Sequence, residues 1–293
     1  MSSGSRAKRR KLELLVLSDI HLGTYGCKAK ELLNYLRSVK PETLILNGDI
    51  IDFWQFSKHY FPKSHLKIIK VITTLLGRGT KVYYITGNHD ELLRKFDGLV
   101  LGELHIVNQL LLELDGQKTW FFHGDVFDVT MEHSKWIAKL GGKGYDLLII
   151  VNLLVNRVSR FLGFGRISLS KKVKESVKSA VKFVNNYEKT AAEVALKNGY
   201  QVVVCGHIHQ PRIELVKDKK GREVRYLNSG DWVENLSALE YYKGEWKVYS
   251  YYDDPHLKKF SHLNKSKDPG LVHVEESDRA IFSKLVKEFK IQA

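Results

Sequence analysis

Seven side chains that commonly bind metal ions follow five short apolar runs of this 293-residue chain. They are Asp19, His21, Asp49, Asn88, His123, His207 and His209. Neutral imidazole combined with carboxylate and amide oxygen suits Mn, Fe or Zn ions, whereas Ca or Mg sites rarely use several histidines. Seven ligands exceed what one such ion binds. We therefore expect a two-metal centre in which one carboxylate, such as Asp49, contacts both ions.

A two-metal centre of this composition indicates a particular chemistry. Two ions about 3.5–4 Å apart can share a hydroxide and bind both the attacking and the leaving oxygen of an in-line displacement at phosphorus. The sequence therefore predicts phosphoester hydrolysis.

The apolar runs that precede these side chains must position them. The runs cover residues 12–17, 43–46, 82–85, 120–122 and 202–204, and each closes on a polar turn. Short apolar runs rich in β-branched and aromatic residues are typical of strands buried on both faces. In open α/β sheets, ligands bind at the carboxyl ends of the strands. We therefore expect an α/β fold with all seven side chains at one edge.

The order and spacing of the motifs resemble the calcineurin-like metallophosphoesterase family. The motifs are Asp19-Ile20-His21, Gly48-Asp49, Gly87-Asn88-His89-Asp90, His123-Gly124-Asp125 and Gly206-His207-Ile208-His209. The resemblance implies a four-layer α/β/β/α sandwich. It also implies two ligand sets, which are Asp19, His21, Asp49 and His209 for one ion and Asp49, Asn88, His123 and His207 for the other.

The same resemblance implies catalytic roles for Asn88 and its two neighbours. His89 would contact the phosphoryl oxygens or the leaving group, and Asp90 would orient the imidazole of His89. Asp125 is expected to brace the turn at His123. For Asp52 and Trp54, capping and packing of a following helix is favoured over a role in the site.

The spacing of the motifs predicts how the chain is divided. More than 80 residues separate His123 from His207, far more than a crossover helix of about 10–15 residues needs. We expect a flexible basic arm over 1–11, a core over 12–126 and 199–253, a helical lid insertion over 127–198, and a C-terminal loop and helix over 254–293. Strands over 225–227, 238–242 and 246–251 should complete a second sheet, and residues 228–231 form either a strand beside the site or a hairpin turn.

The insertion holds much of the basic charge. The net charge of the chain is +14, and half of it lies between Arg157 and Lys189. This basic block follows an apolar stretch, Leu147–Val155. Such a pairing suits an acyl-chain slot or contact with an anionic bilayer, with simple packing of the lid on the core as the alternative. Lys178 and Arg166 are candidates for binding a diphosphate or sugar, or else belong to a solvated face.

With this insertion, the chain resembles the UDP-2,3-diacylglucosamine diphosphatase branch, enzymes of lipid A synthesis. The resemblance implies a manganese pair, with Fe or Zn as alternatives, and cleavage of a nucleotide-lipid pyrophosphate to UMP and 2,3-diacylglucosamine 1-phosphate. His89 stands where the best-known members of that branch have Arg, which leaves the substrate open. An enzyme acting on another nucleotide or small phosphoester is the alternative.

Two other classes of protein, a nuclease and a non-catalytic scaffold, are less favoured. Nucleic acid is disfavoured as a partner because the basic charge lies in the arm and the insertion, without an evident aromatic platform. A non-catalytic scaffold would have no need of seven metal ligands.

The sequence also predicts where the protein works. Only two cysteines occur, the basic N-terminal arm lacks the apolar core of a signal peptide, and no apolar run approaches about 18 residues. We expect a cytoplasmic protein with peripheral contact at the inner membrane.

Overall fold

Two β-sheets lie face to face at the centre of the fold. The computed structural model describes residues 9–54, 61–127, 187–218 and 220–255. The elements below belong to one unit, Met1–Asp254. Most of the expected lid insertion over 127–198, with Lys178 and Arg166, lies outside the described residues, as do most of 1–11 and nearly all of 254–293.

The described residues form twelve strands. In chain order they are β1 (Arg10–Leu17), β2 (Val39–Asn47), β3 (Lys81–Ile85), β4 (Val100–Leu101), β5 (Leu104–Val107), β6 (Gln109–Leu114), β7 (Gln117–Phe122), β8 (Val202–Cys205), β9 (Arg212–Lys217), β10 (Glu223–Asn228), β11 (Ser237–Tyr242) and β12 (Glu245–Ser250). Each of the five predicted strands before a polar motif is present, as β1, β2, β3, β7 and β8.

The larger sheet has seven strands in the order β12-β11-β1-β2-β3-β5-β4. β1, β2 and β3 run parallel, with Leu15 opposite Leu44 and Ile45 opposite Tyr83. The smaller sheet has five strands in the order β6-β7-β8-β10-β9, and β7, β8 and β10 run parallel within it. Because parallel strands end at the same edge, the polar segments after β1, β2 and β3 lie side by side.

Apolar side chains from both sheets meet in one core. Leu14, Ile45 and Leu239 of the larger sheet pack in the same cluster as Val204 and Leu227 of the smaller sheet. Burial of this interface on both sides explains why the central strands are almost continuously apolar in sequence.

Helices cover the outer faces of the two sheets. On the larger sheet lies α1 (Ala29–Ser38), which packs against α2 (Lys63–Leu76). Within α1, Tyr35 stacks on Tyr249 of β12 at 4.1 Å between ring centroids and donates a hydrogen bond to Glu240 of β11. On the smaller sheet lies α3, described over 187–197, whose Ala191 and Ala195 belong to a cluster with side chains of β8 and β10. The predicted α/β/β/α sandwich is confirmed.

One predicted pairing is wrong. The strands expected over 238–242 and 246–251 do not join the second sheet with the strand over 225–227. Instead β11 pairs antiparallel with β1, with Leu15 opposite Glu240, and β12 continues the larger sheet beyond it. This pairing satisfies the backbone groups of β1 on the side that β2 does not occupy. Of the three predicted strands, only the one over 225–227, as β10, joins the smaller sheet.

None of the described helices combines the length and the apolar character that a transmembrane segment requires.

The inter-sheet core should account for much of the stability of the fold. Leu227 is fully buried in it, whereas Leu215, on the neighbouring strand of the same sheet, is 53% exposed. We expect Leu227→Ala to lower the free energy of unfolding by about 2–5 kcal/mol, because it leaves a cavity between the sheets. Leu215→Ala should change it by less than about 0.5 kcal/mol. Urea unfolding of both variants tests this, and equal losses would contradict the assigned core.

Candidate metal centre

Six acidic and histidine side chains from four separate segments form one continuous cluster, which His89 joins. Three groups have ligand atoms within 4.8 Å of one another; they are Asp19 with His21 and His209, His21 with Asp49 and His89, and Asp49 with His123 and His207. Because Asp49 and His21 each belong to two groups, the three groups are joined. The structure therefore brings together six of the seven side chains that the sequence predicted as ligands, at the edge where the strands end; the seventh, Asn88, precedes His89 in the same loop.

The backbone at these positions is unusual. Asp19, His21, Asp49, His207 and His209 all have positive φ angles, between 50° and 67°. Non-glycine residues rarely adopt this left-handed conformation, which costs on the order of 1–3 kcal/mol at each position and is concentrated at functional sites. These left-handed residues follow β1, β2 and β8, where they let a short loop direct its side chain into the cluster.

The glycines of the motifs are required by close packing around the ligands. A Cβ atom at Gly48 would overlap the ring of His123, and one at Gly87 would overlap the carboxylate of Asp49. A Cβ atom at Gly206 would lie 2.7 Å from Asp19 Oδ2. Each glycine therefore leaves room for a side chain supplied by a different motif.

Hydrogen bonding fixes the orientation of His123. Its Nδ1 lies 2.9 Å from the carbonyl oxygen of Asn47, which can only accept, so Nδ1 carries the proton. The lone pair of Nε2 is then directed into the cluster, 3.2 Å from Asp49 Oδ2. A partner on the far ring nitrogen that sets the tautomer is typical of metal-binding histidines.

A carboxylate lies within hydrogen-bond distance of the far ring nitrogen of His21, and another lies near that of His209. His21 Nδ1 lies 3.2 Å from Asp52 Oδ2, and His209 Nδ1 lies 3.9 Å from Asp231 Oδ2. His209 Nε2 faces Asp19 Oδ1 at 3.1 Å. His207 lies with its ring 5.2 Å from that of His123.

The side-chain oxygen of Asn88 supports the presence of a cation. Asn88 Oδ1 is buried and has no hydrogen-bond partner among the residues that the structure describes. Leaving a buried amide oxygen unsatisfied costs roughly 1–3 kcal/mol. A metal ion bound in the cluster would satisfy it, so the donor set fits a divalent cation.

The carboxylates of the cluster are held in their charged form. Burial alone would raise the pKa of Asp49, but the adjacent His123 and the other imidazoles hold it well below its usual value. The pairing also affects the imidazole of His209. Burial disfavours its protonated form, yet the neighbouring carboxylate of Asp19 raises its pKa to about 9. Ionised carboxylates are what a divalent cation requires of its ligands.

The carboxylate paired with His89 is Asp52, which corrects two expectations. Asp52 Oδ2 lies 2.8 Å from His89 Nδ1, so Asp52 is a member of the site and not only a cap for a later helix. Asp90, expected to orient His89, instead accepts hydrogen bonds from the backbone of Ile50 and Gly87 and from the hydroxyl of Tyr84. It follows that Asp90 stabilises the loop while Asp52 orients the imidazole.

His89 is thereby directed at the cluster. Its Nε2 lies 4.0 Å from Asp49 Oδ2, and its backbone N–H donates to Asp49 Oδ1 at 2.9 Å. Although burial lowers the pKa of His89, the hydrogen bond to Asp52 and the charge of Asp49 raise it overall. This imidazole can hold a proton beside the cluster.

Two further predicted residues lie close to the centre. Asp125 pairs with Arg94 at 2.5 Å, so its carboxylate ties the segment after His123 to the short helix that follows β3. The segment 228–231 begins with the last residue of β10 and forms no hairpin, and Ser229 Oγ lies 2.6 Å from Ser18 Oγ. That contact fixes the segment beside the loop that carries Asp19.

Two residues near the centre were not anticipated from the sequence. The carbonyl of Asn47 orients His123, which no side-chain pattern could reveal. Tyr187 is fully buried beneath the centre, and its hydroxyl donates to the His123 carbonyl at 3.4 Å. A Cβ atom at Gly124 would overlap this hydroxyl, so the glycine of His123-Gly124-Asp125 was the available signal.

Two stacked sheets with a histidine and carboxylate cluster at the strand ends define the class of metal-dependent phosphoesterases. The model of the calcineurin-like phosphoesterase family matches residues 12–211, and the chain belongs to this family. Enzymes of this family use divalent metals, and the protein is accordingly a metal-dependent phosphoesterase.

The relatives whose names state a substrate are only distantly similar to this chain. The chain is similar to the UDP-2,3-diacylglucosamine hydrolase of Blochmanniella pennsylvanica, with 26% identity over 78% of this chain and 92% of the relative. It is similar to the enzyme of the same name from Aliivibrio fischeri, with 25% identity over 82% and 97% of the two chains. Among solved structures, it is similar to Yfce, a phosphoesterase from E. coli, with a TM-score of 0.40, 16% identity, and 82% and 93% of the two chains covered.

The packing around Gly87 predicts that a single methyl group disrupts metal binding. We expect Gly87→Ala to lose most of its bound manganese while it remains folded, because the new Cβ displaces Asp49. Gly77→Ala is the matched control, since a Cβ there meets only ordinary contacts, the nearest at 3.5 Å. Calorimetric titration with Mn²⁺, with circular dichroism to check folding, measures both. Wild-type affinity in Gly87→Ala would contradict the assigned geometry.

Proposed function

We propose that the protein cleaves the pyrophosphate bond of UDP-2,3-diacylglucosamine, releasing UMP and 2,3-diacylglucosamine 1-phosphate. The observation that supports this substrate is the alignment with UDP-2,3-diacylglucosamine hydrolases over 92% and 97% of their length. An alignment that long extends beyond the metal-binding motifs. The phosphoesterase chemistry itself follows from the family, and the choice of substrate is the proposal.

The proposed centre holds two divalent ions that share Asp49. One ion would be bound by Asp19, His21, Asp49 and His209, and the other by Asp49, Asn88, His123 and His207. In support, the groups Asp19/His21/His209 and Asp49/His123/His207 each have ligand atoms within 4.8 Å of one another. Manganese is the proposed metal because it accepts imidazole and carboxylate ligands together, with iron and zinc as alternatives.

Protein groups would supply the rest of the mechanism. When bound, a pair of divalent ions polarises the phosphoryl oxygens and lowers the pKa of water. His89, held through Nδ1 by Asp52, presents Nε2 to the site and would donate its proton to the departing oxygen. Asp90 keeps the loop that carries Asn88 and His89 in place through its three buried hydrogen bonds.

We further propose that the part of the predicted insertion 127–198 that precedes α3 forms a lid that binds the lipid part of the substrate. The described chain is interrupted after Phe127 and resumes at Tyr187, and the two rings lie 5.6 Å apart. Tyr187 also lies near His207, with 6.2 Å between ring centroids. The intervening residues therefore begin and end beside the centre, which supports a role in covering it.

Within that lid, we propose that Lys178 and Arg166 bind the diphosphate or the sugar. The basic residues there would also favour peripheral contact with an anionic membrane, on the cytoplasmic face of the inner membrane.

A hydrolase of another nucleotide or small phosphoester is the second candidate. The observation that favours it is His89, because an imidazole paired with Asp52 can transfer a proton but cannot bind phosphate in two places as an arginine can.

Direct measurement of UMP release separates the two candidates. With Mn²⁺ present, we expect efficient release of UMP from UDP-2,3-diacylglucosamine, and activity should be lost on chelation and restored by Mn²⁺. Turnover of bis-p-nitrophenyl phosphate without turnover of the lipid substrate would reject the proposed substrate and retain the phosphoesterase centre.

The proposed role of His89 predicts a dependence on the leaving group. We expect His89→Asn to slow hydrolysis of a diester with an alkoxide leaving group by about 10²-fold or more, because such a leaving group needs a proton. Hydrolysis of bis-p-nitrophenyl phosphate should fall far less, since p-nitrophenolate leaves without one. His105→Asn, on β5, is the control and should affect neither rate. An equal fall for both substrates would show that His89 acts otherwise than as a proton donor.

A further inference from the structure

An exposed tryptophan lies against the imidazole of His89. The indole of Trp54 is 53% exposed, and its ring centroid lies 4.6 Å from that of His89 at an interplanar angle of 38°. An indole combines a large flat apolar surface with one polar N–H, which suits it to contact with a ligand. The position of Trp54 beside His89 makes it a candidate contact for a molecule bound at the centre.

The backbone around Trp54 is fixed to the site. The Phe53 N–H donates to the carbonyl oxygen of His89 at 3.0 Å, and the Asp52 N–H donates to the carbonyl oxygen of Leu22 at 3.0 Å. Ile51 also forms a β-bridge with Leu22, next to the loop that carries His21. The three residues that precede the indole are therefore held to two neighbouring loops, those of Leu22 and His89.

Orientation of His89 does not require the indole. The Nδ1 of His89 already pairs with the carboxylate of Asp52 at 2.8 Å, which holds the imidazole in place, and the backbone N–H of His89 donates to Asp49. A purely supporting role would also place the indole in full contact with its neighbours, whereas half of its surface remains free.

The location of the indole indicates which part of a substrate it would meet. His89 Nε2 lies 4.0 Å from the carboxylate of Asp49, and the indole of Trp54 lies 4.6 Å from the same imidazole ring, centroid to centroid. The indole is therefore within reach of a group attached to a phosphorus bound at the centre. Because the polar ring of His89 adjoins the indole, a ligand with a flat face and a polar edge fits better than an acyl chain.

We propose that Trp54 is the stacking platform for the nucleobase of a nucleotide substrate. The proposal rests on the proposed function, since it assumes that a nucleotide is the phosphoester bound at this centre. Stacking of one base on an aromatic side chain contributes about 1–3 kcal/mol, which corresponds to roughly 5- to 150-fold in binding.

Inhibition by two matched monophosphates tests the platform. UMP and ribose 5-phosphate carry the same phosphate and ribose and differ in the base, and each would compete with bis-p-nitrophenyl phosphate in the Mn²⁺-loaded enzyme. We expect the wild type to bind UMP at least about 5-fold more tightly than ribose 5-phosphate. Trp54→Ala should abolish this ratio and Trp54→Phe should keep most of it. The ratio within one variant cancels any effect on the metal centre.

Tyr252→Ala provides a control of matched exposure. Tyr252 is 59% exposed and follows β12, and its loss should leave the ratio as in the wild type. The proposal is overturned if the wild type binds UMP and ribose 5-phosphate equally, or if Trp54→Ala leaves the ratio of their affinities unchanged. An equal loss of affinity for both inhibitors in Trp54→Ala, as expected if the indole contacts the sugar, also overturns it.

The result of the Trp54 test can be told apart from the result of the test of the proposed substrate. If UDP-2,3-diacylglucosamine is not cleaved but Trp54→Ala abolishes the preference for UMP, the platform stands and serves another nucleotide. If the lipid substrate is cleaved and the ratio is unaffected by Trp54→Ala, the platform alone is rejected.

Discussion

The position of one buried carboxylate, that of Asp49, constrains the rest of the centre. One of its oxygens accepts the backbone N–H of His89, and the other faces Nε2 of His123. Gly87 lacks a side chain because that space is occupied by this carboxylate, and the left-handed backbone of Asp49 aims it inward. A single side chain thus fixes the relative positions of loops from β2, β3 and β7. A carboxylate in that position is suited to join two cations.

The arrangement of the two sheets brings those loops together. β1, β2 and β3 of one sheet and β7, β8 and β10 of the other run parallel, so their polar ends meet along one edge of the sandwich. The packed core between the sheets provides the rigidity that left-handed turns at five positions require. Strain in the loops is therefore offset by burial in the strands.

Features that depend on local pattern could be predicted from the sequence. Short apolar runs indicated the five strands before the polar motifs and placed the polar side chains at one sheet edge. The two-sheet sandwich was implied by the resemblance that the motifs carry. The strand predictions succeeded because a strand buried on both faces has a distinctive composition and because its polar end lies at the sheet edge.

Features that depend on distant pairing could not be predicted. β11 joins the larger sheet beside β1, more than 200 residues earlier in the chain, and nothing in its own sequence selects that partner. Asp52 and Asp90 are equally plausible partners of His89 in sequence, and only the fold shows that Asp52 approaches Nδ1 while Asp90 faces Tyr84. The carbonyl that orients His123 belongs to the backbone and leaves no sequence signal.

Two metal ions are proposed to share Asp49, and electron paramagnetic resonance of the manganese-loaded protein tests this arrangement most directly. The wild type should bind two equivalents of Mn²⁺ and give the multiline spectrum of an exchange-coupled pair. Asp49→Asn should lose that coupling, with Asp218→Asn, a carboxylate in the turn between β9 and β10, as the unaffected control. A wild-type spectrum of isolated Mn²⁺ at every metal loading, or undiminished coupling in Asp49→Asn, would contradict the shared-carboxylate centre.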